Sequence, residues 1–227
     1  MTRVKLPFRD RTQAGAALAD ALARYRDDQD ILVLALPRGG VPVACEVAAA
    51  LRAPLDVMIV RKLGVPWQEE LAMGAVASGG VRLLNPEVVS QAGIGSEEIE
   101  QATRVQQIEI ERREKAYRGN RPQPQVKGKR VILVDDGIAT GATIRVAIRA
   151  LRQRGASAIV IAVPIAPVET IEVLAAEADE VVCLATPEPF WAVGSWYADF
   201  RQVSDAEVCE QLNRMWHESE HATMAKS

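Results

Sequence analysis

The sequence predicts an α/β domain: a mostly parallel, five-stranded sheet flanked by helices, with a small hood and an inserted helical segment added to it. Two observations predict this class. Five short runs, 31–36, 56–60, 131–134, 158–163 and 180–184, are almost wholly apolar, as suits strands buried on both faces. Segments of helical periodicity stand between most of them, and strands joined by helical crossovers run parallel in one sheet.

Each element follows in order. Residues 12–26 place Ala16, Leu18, Leu22 and Ala23 on one apolar helical face. The strand 31–36 runs into Pro37-Arg38-Gly39-Gly40, then a helix at 41–51 and a second strand at 56–60. Between 62 and 84 the pattern breaks into Gly, Pro and polar residues, which predicts a flexible loop or a hairpin. Ser96 with Glu97 and Glu98 marks a capped helix start. This inserted helix (96–118) carries only a sparse stripe of Ile99, Ala102, Val105 and Ile108, so it belongs on the surface or at a subunit contact. A linker at 119–129 precedes strand 131–134, helix 142–154, strand 158–163, helix 168–176 and strand 180–184. A hood segment (186–203) rich in aromatics follows, then a helix at 205–216 and a polar tail (217–227) expected to fray. The whole, 1–227, reads as a single domain.

Charge and cysteine content narrow the partners. With 27 basic against 30 acidic residues there is no surplus to attract nucleic acid or an anionic membrane, so a small-molecule partner is expected. Cys45, Cys183 and Cys209 are isolated thiols, a usage that fits a reducing cytoplasm and offers no zinc knot. No signal peptide is expected, and no apolar run approaches the ~20 residues that span a bilayer. His217-Glu-Ser-Glu-His221 fits the H-E-x-x-H zinc pattern formally, but a frayed helix end supplies neither a third ligand nor a supporting shell.

The chemistry concentrates at Val131-Ile-Leu-Val-Asp-Asp-Gly-Ile-Ala-Thr-Gly-Ala-Thr143. Four apolar residues end in two carboxylates, and a loop of small and hydroxyl residues then opens a helix. Backbone N–H groups, the hydroxyls of Thr140 and Thr143 and the positive end of the helix dipole can converge on one phosphate. Gly141 lets the backbone come close. Asp135 and Asp136 stand at the carboxyl end of a parallel strand, where open α/β sheets bind ligands; sugar hydroxyls or Mg²⁺ would give two acids a reason to sit beside a phosphate. On pattern alone, a strand cap followed by an ordinary helix start suits these residues equally well. In the same way, Arg38, Gly39 and Gly40 could wrap a pyrophosphate or simply make a tight turn.

The 131–143 stretch closely resembles the signature of type I phosphoribosyltransferases, and the resemblance extends over roughly 8–208. It implies that Ala139, Thr140, Gly141, Ala142 and Thr143 hold the 5′-phosphate of 5-phosphoribosyl-1-pyrophosphate, while Asp135 and Asp136 hold the ribose hydroxyls. Gly137 departs from it, standing where an apolar residue is usual, and is expected to loosen the turn. The resemblance places the pyrophosphate on Arg38, Gly39 and Gly40, with a non-proline cis peptide near Arg38. Arg61 and Lys62, at the end of the second strand, join them there, and Arg38, Lys62 and Asp136 take the catalytic role. The region 64–80 matches a mobile loop that closes over the reaction; Glu69 and Glu70 have no assigned role in it.

Pro189-Phe-Trp-Ala-Val-Gly-Ser-Trp-Tyr-Ala-Asp-Phe-Arg201 resembles the hood of the purine-salvage branch. By position Trp191 would stack on the base, Val193 would offer backbone groups, and Asp199 would neighbour Mg²⁺ through water. Packing of Phe190, Trp191 and Trp196 into a satellite core is the alternative. Ala139 replaces the acid that oxopurine-specific members carry, so positioning and electrostatics would have to carry the transfer. The implied function is transfer of the phosphoribosyl group to a nitrogenous base in nucleotide salvage, by a cytoplasmic homodimer using Mg²⁺. A regulatory protein that senses the ribosyl pyrophosphate without turning it over is the competing expectation.

Overall fold

The computed structural model of the chain describes residues 4–224, and their side chains except at 69, 70 and 219–224. Its elements are α1 (Arg11–Ala21), β1 (Ile31–Ala35), α2 (Gly40–Leu51), β2 (Leu55–Val57), β3 (Val60–Val65), β4 (Gln68–Ala77), β5 (Arg82–Leu84), α3 (Pro86–Gln91) and α4 (Ser96–Arg118). They continue with β6 (Arg130–Val134), α5 (Ala142–Gln153), β7 (Ala158–Ile165), α6 (Val168–Ala175), β8 (Glu180–Ala185) and α7 (Asp205–Met224).

Five strands form one parallel sheet in the order β2-β1-β6-β7-β8. Every residue of β1 is buried. Because side chains alternate across a strand, Ile31, Val33 and Ala35 enter one core while Leu32 and Leu34 enter the other. The first core lies under α1, α2 and α7; the second lies under α5. The expected fold class is therefore found.

Two boundaries differ in ways that bear on the site. The second strand was expected over 56–60, but β2 stops at Val57. Met58 N makes a last bond to Ala35 O (2.9 Å), and the chain then leaves the sheet as Ile59 and Ser78 bond to each other. Val60 opens a separate three-stranded antiparallel sheet, β3-β4-β5. Of the two alternatives for 62–84 the hairpin is realised, Val65 facing Gln68 across Pro66 and Trp67. Arg61 and Lys62 consequently lie inside β3, opposite Val76 and Ala75, and not at the end of a parallel strand.

The inserted helix α4 begins at Ser96, but its cap is Gly95, whose N–H is taken by Glu98 Oε2 at 2.8 Å. It is fastened by Arg118, buried at its last residue. Arg118 donates from Nε to Asp56 Oδ1 and from Nη2 to Val57 O, each at 2.7 Å, with Glu114 Oε1 3.1 Å from Nη1. The tail expected to fray is helical through Met224, because Val208, Leu212, Met215 and Trp216 are buried and Trp216 Nε1 donates to Leu55 O at 2.8 Å. Residues 225–227 and the side chain of His221 lie outside the described residues.

Candidate functional site

The sheet order creates the site. From β1 the chain moves outward to β2, whereas β6 leads the other way to β7 and β8. The crevice at such a reversal, beyond the carboxyl ends of the strands, is where open α/β sheets take ligands. The 37–40 turn leaves β1 there, and Asp135 and Asp136 leave β6 beside it.

These two segments are in contact. Leu36 N donates to Val134 O at 2.9 Å. A Cβ on Gly40 would stand 2.8 Å from Val134 O, and one on Gly39 would run into the Asp136 carboxylate. The paired glycines are required for space: the turn lies directly on the acids. The peptide Pro37–Arg38 is cis, as the resemblance implies. Arg38 itself is partly exposed and leans toward Asp205, with Nη1 3.8 Å from Oδ1; that oxygen also accepts from Tyr117 OH at 2.6 Å.

Asp135 Oδ1 accepts the N–H of Asp136 at 2.8 Å. Burial pushes both carboxyls above the ordinary carboxylate range, and for Asp135 the neighbouring Asp136 charge adds to it. Arg11 works the other way on Asp136, its Nε standing 2.7 Å from Oδ2. A divalent cation would relieve the same crowding. No group of three acidic, His or Cys side chains that could hold a metal occurs among the described residues, so an ion at the acid pair would complete its oxygen shell from ligand and water.

The turn after the acids is tied down from outside. Ile138 N donates to Ile165 O (2.9 Å) and Thr170 Oγ1 to Ala139 O (2.7 Å). Ala139 and Thr140 are exposed, and Gly141 caps α5 with φ 72°, a backbone that only glycine takes without strain. Gly137 does not loosen this turn. A Cβ there would run into Val193 Cγ1 and stand 2.7 Å from Ile165 Cγ2, so the missing side chain is the seat of Val193.

Lys62 and Arg61 do not join Arg38 at a common strand end. With Thr143 they line a cleft of about 810 Å³ whose opposite wall is α4, through Glu98, Gln101 and Gln106. Arg61 Nε is held by Gln106 Oε1 at 2.9 Å. Lys62 is exposed.

In the hood, Val193 reaches the acid turn, while Trp191 is 81% exposed and belongs to no core cluster. The satellite core holds Phe8, Ala14, Ile165 and Tyr197, with Phe190, Trp196 and Phe200 packed on it. Asp199 is exposed and its Oδ1 accepts the Arg201 N–H at 3.1 Å.

Sequence reasoning missed Arg11 and Tyr197. Tyr197 OH donates to the Asp136 carbonyl at 2.5 Å, and Arg11 grips the Asp136 carboxylate. They are 61 and 125 residues from Asp136, and no local spacing announces contacts so distant.

Comparison with known proteins bears on family and fold. The family model of the phosphoribosyl transferase domain matches residues 9–200. Two curated proteins of Mycobacterium tuberculosis are 49% identical over 207 residues: "Putative phosphoribosyl transferase MT0597" (strain CDC 1551 / Oshkosh) and "Putative phosphoribosyl transferase Rv0571c" (strain ATCC 25618 / H37Rv). That alignment takes in 91% of this chain but 46% of each relative, so the chain spans about half their length. The crystal structure of TT1426 from Thermus thermophilus superposes with a TM-score of 0.79 at 44% identity, covering 92% of this chain and 98% of that one.

Proposed function

Given that this chain belongs to the phosphoribosyl transferase domain family, we propose that it transfers the 5-phosphoribosyl group of 5-phosphoribosyl-1-pyrophosphate to a nitrogenous base, releasing pyrophosphate. The observation that carries the reading is the contact between the 37–40 turn and the Asp135–Asp136 pair at the point where the sheet reverses.

In this reading the 5′-phosphate sits on the N-terminus of α5, with the hydroxyls of Thr140 and Thr143 and the backbone at Gly141. Asp135 and Asp136 accept from the ribose hydroxyls and would hold Mg²⁺, which when bound offsets the charge of the departing pyrophosphate. Arg38, Gly39 and Gly40 receive the pyrophosphate from one side, and Lys62 with Arg61 from the wall of the neighbouring cleft. Trp191 and Val193 border the acceptor, and Asp199 would approach the ion through water. Ala139 supplies no proton acceptor, so the barrier falls through positioning and through fixed charges facing the leaving group. Purines are the first acceptor class to examine. We further propose a cytoplasmic homodimer acting in nucleotide salvage. Sedimentation at micromolar concentration checks the dimer, and a single monomeric species removes it.

The deciding experiment mixes the protein with the ribosyl pyrophosphate, Mg²⁺ and a panel of nucleobases while pyrophosphate release is followed. Release that needs one base and stops on adding a chelator is expected. Binding without release from any acceptor would establish the sensing alternative, and absence of both would end the reading.

A further inference from the structure

The residues that open the chain have no part in the reading above, yet they touch both sides of the site. Phe8 pairs with the hood by its backbone: its N–H donates to Trp196 O at 2.8 Å and its carbonyl accepts from Ala198 N at 2.7 Å. Asp199 N then donates to Arg9 O at 2.9 Å. Arg11 follows at the first turn of α1, with its side chain 11% exposed. Its Nε donates to Asp136 Oδ2 at 2.7 Å, its Nη1 to the Arg201 carbonyl at 2.8 Å, and its guanidinium carbon lies 3.9 Å from the centre of the Phe200 ring.

We propose that Arg11 is a positioning residue: one guanidinium fixes the Asp136 carboxylate beneath the 37–40 turn and ties the hood to the same point, so that acid pair and hood are held as one unit. Asp136 is otherwise held by Tyr197 OH on its carbonyl and by Asp135 Oδ1 on its N–H, and it is covered by Gly39. Of these three hydrogen-bonding partners, Arg11 belongs to the N-terminal segment 8–11 and Tyr197 to the hood. A displacement of the hood is passed to the acid pair through Tyr197 and Arg11, and the register between ribose and acceptor depends on both. Lysine carries the same charge, but it lacks a planar fork that can serve two acceptors while stacking on a ring. The functional part of this inference rests on the reading of Asp136 as a ribose ligand.

Arg11→Lys and Arg11→Ala test it by two independent readouts. Amide hydrogen exchange at 193–200 and 135–139 should quicken in both variants while the melting temperature of Arg11→Lys stays near that of the parent. In the turnover assay, kcat should fall between about tenfold and a hundredfold with KM for the ribosyl pyrophosphate little changed. Millimolar ethylguanidinium should restore part of the rate to Arg11→Ala. Unchanged exchange in the hood, or wild-type kcat in Arg11→Lys, would overturn the proposal. If the parent neither binds nor consumes the ribosyl pyrophosphate, the functional reading fails, while the exchange measurement still decides whether Arg11 holds the hood.

Discussion

Asp135 and Asp136 are forced into one crowded corner by a strand that ends at the sheet's reversal, and the raised position of their carboxyl titrations sets the charging of the pair against stability. An acid whose folded pKa lies above its unfolded value of ~3.9 costs no stability below that value. The cost grows as pH rises toward the folded pKa and is constant beyond it. Asp135→Asn keeps the oxygen that accepts the Asp136 N–H, so it should melt higher than the parent at pH 7, with the difference vanishing near pH 4. The same variant should lose binding of the ribosyl pyrophosphate by calorimetry. Equal melting at both pH values would contradict the account. Gly137 supplies a second residue-scale test. Gly137→Ala should destabilise by about 1–3 kcal/mol in urea titrations through collision with Val193. Adding Val193→Ala should recover part of that loss, and an additive loss would show that Val193 is not the obstacle.

At the scale of elements, α4 is the piece with the weakest warrant from its own pattern and a strong one from its contacts. Val105 and Ile108 on its stripe are more than half exposed, so apolar burial along the stripe holds only part of it. The buried Arg118 holds the end, serving Asp56, Glu114 and the Val57 carbonyl together. Removing one partner of a buried ion pair leaves the others uncompensated; Arg118→Met should therefore cost about 3–5 kcal/mol in equilibrium unfolding. An effect under about 1 kcal/mol would mean that Asp56 and Glu114 find other partners. Sequence periodicity placed α4 well, but it had no means of showing that the helix walls the cleft beside Lys62 and Thr143. The error at 56–60 belongs to the same scale. Val60 continues an apolar run, and only the bonds of Ile59 to Ser78 divide it between two sheets.

For the whole molecule, the N-terminal segment 8–11, hood, acid pair and the 37–40 turn form a connected assembly, and a ligand bound there should stabilise the fold globally. With the ribosyl pyrophosphate at a hundred times its Kd, linkage gives about 2.7 kcal/mol, or roughly 5–10 °C for a chain of this size. Thermal melting with and without Mg²⁺ checks this, and no shift would place the ligand elsewhere. The sequence by itself determined the five strands, their parallel crossovers and the turn that opens α5, because burial on both faces and helix-opening chemistry leave their record in consecutive residues. Tertiary structure alone decided that Arg11 and Tyr197 serve Asp136, that Gly137 seats Val193, and that Lys62 belongs to a second sheet. Those facts depend on which distant segments the sheet order brings together, and contacts across such separations have no periodicity to betray them.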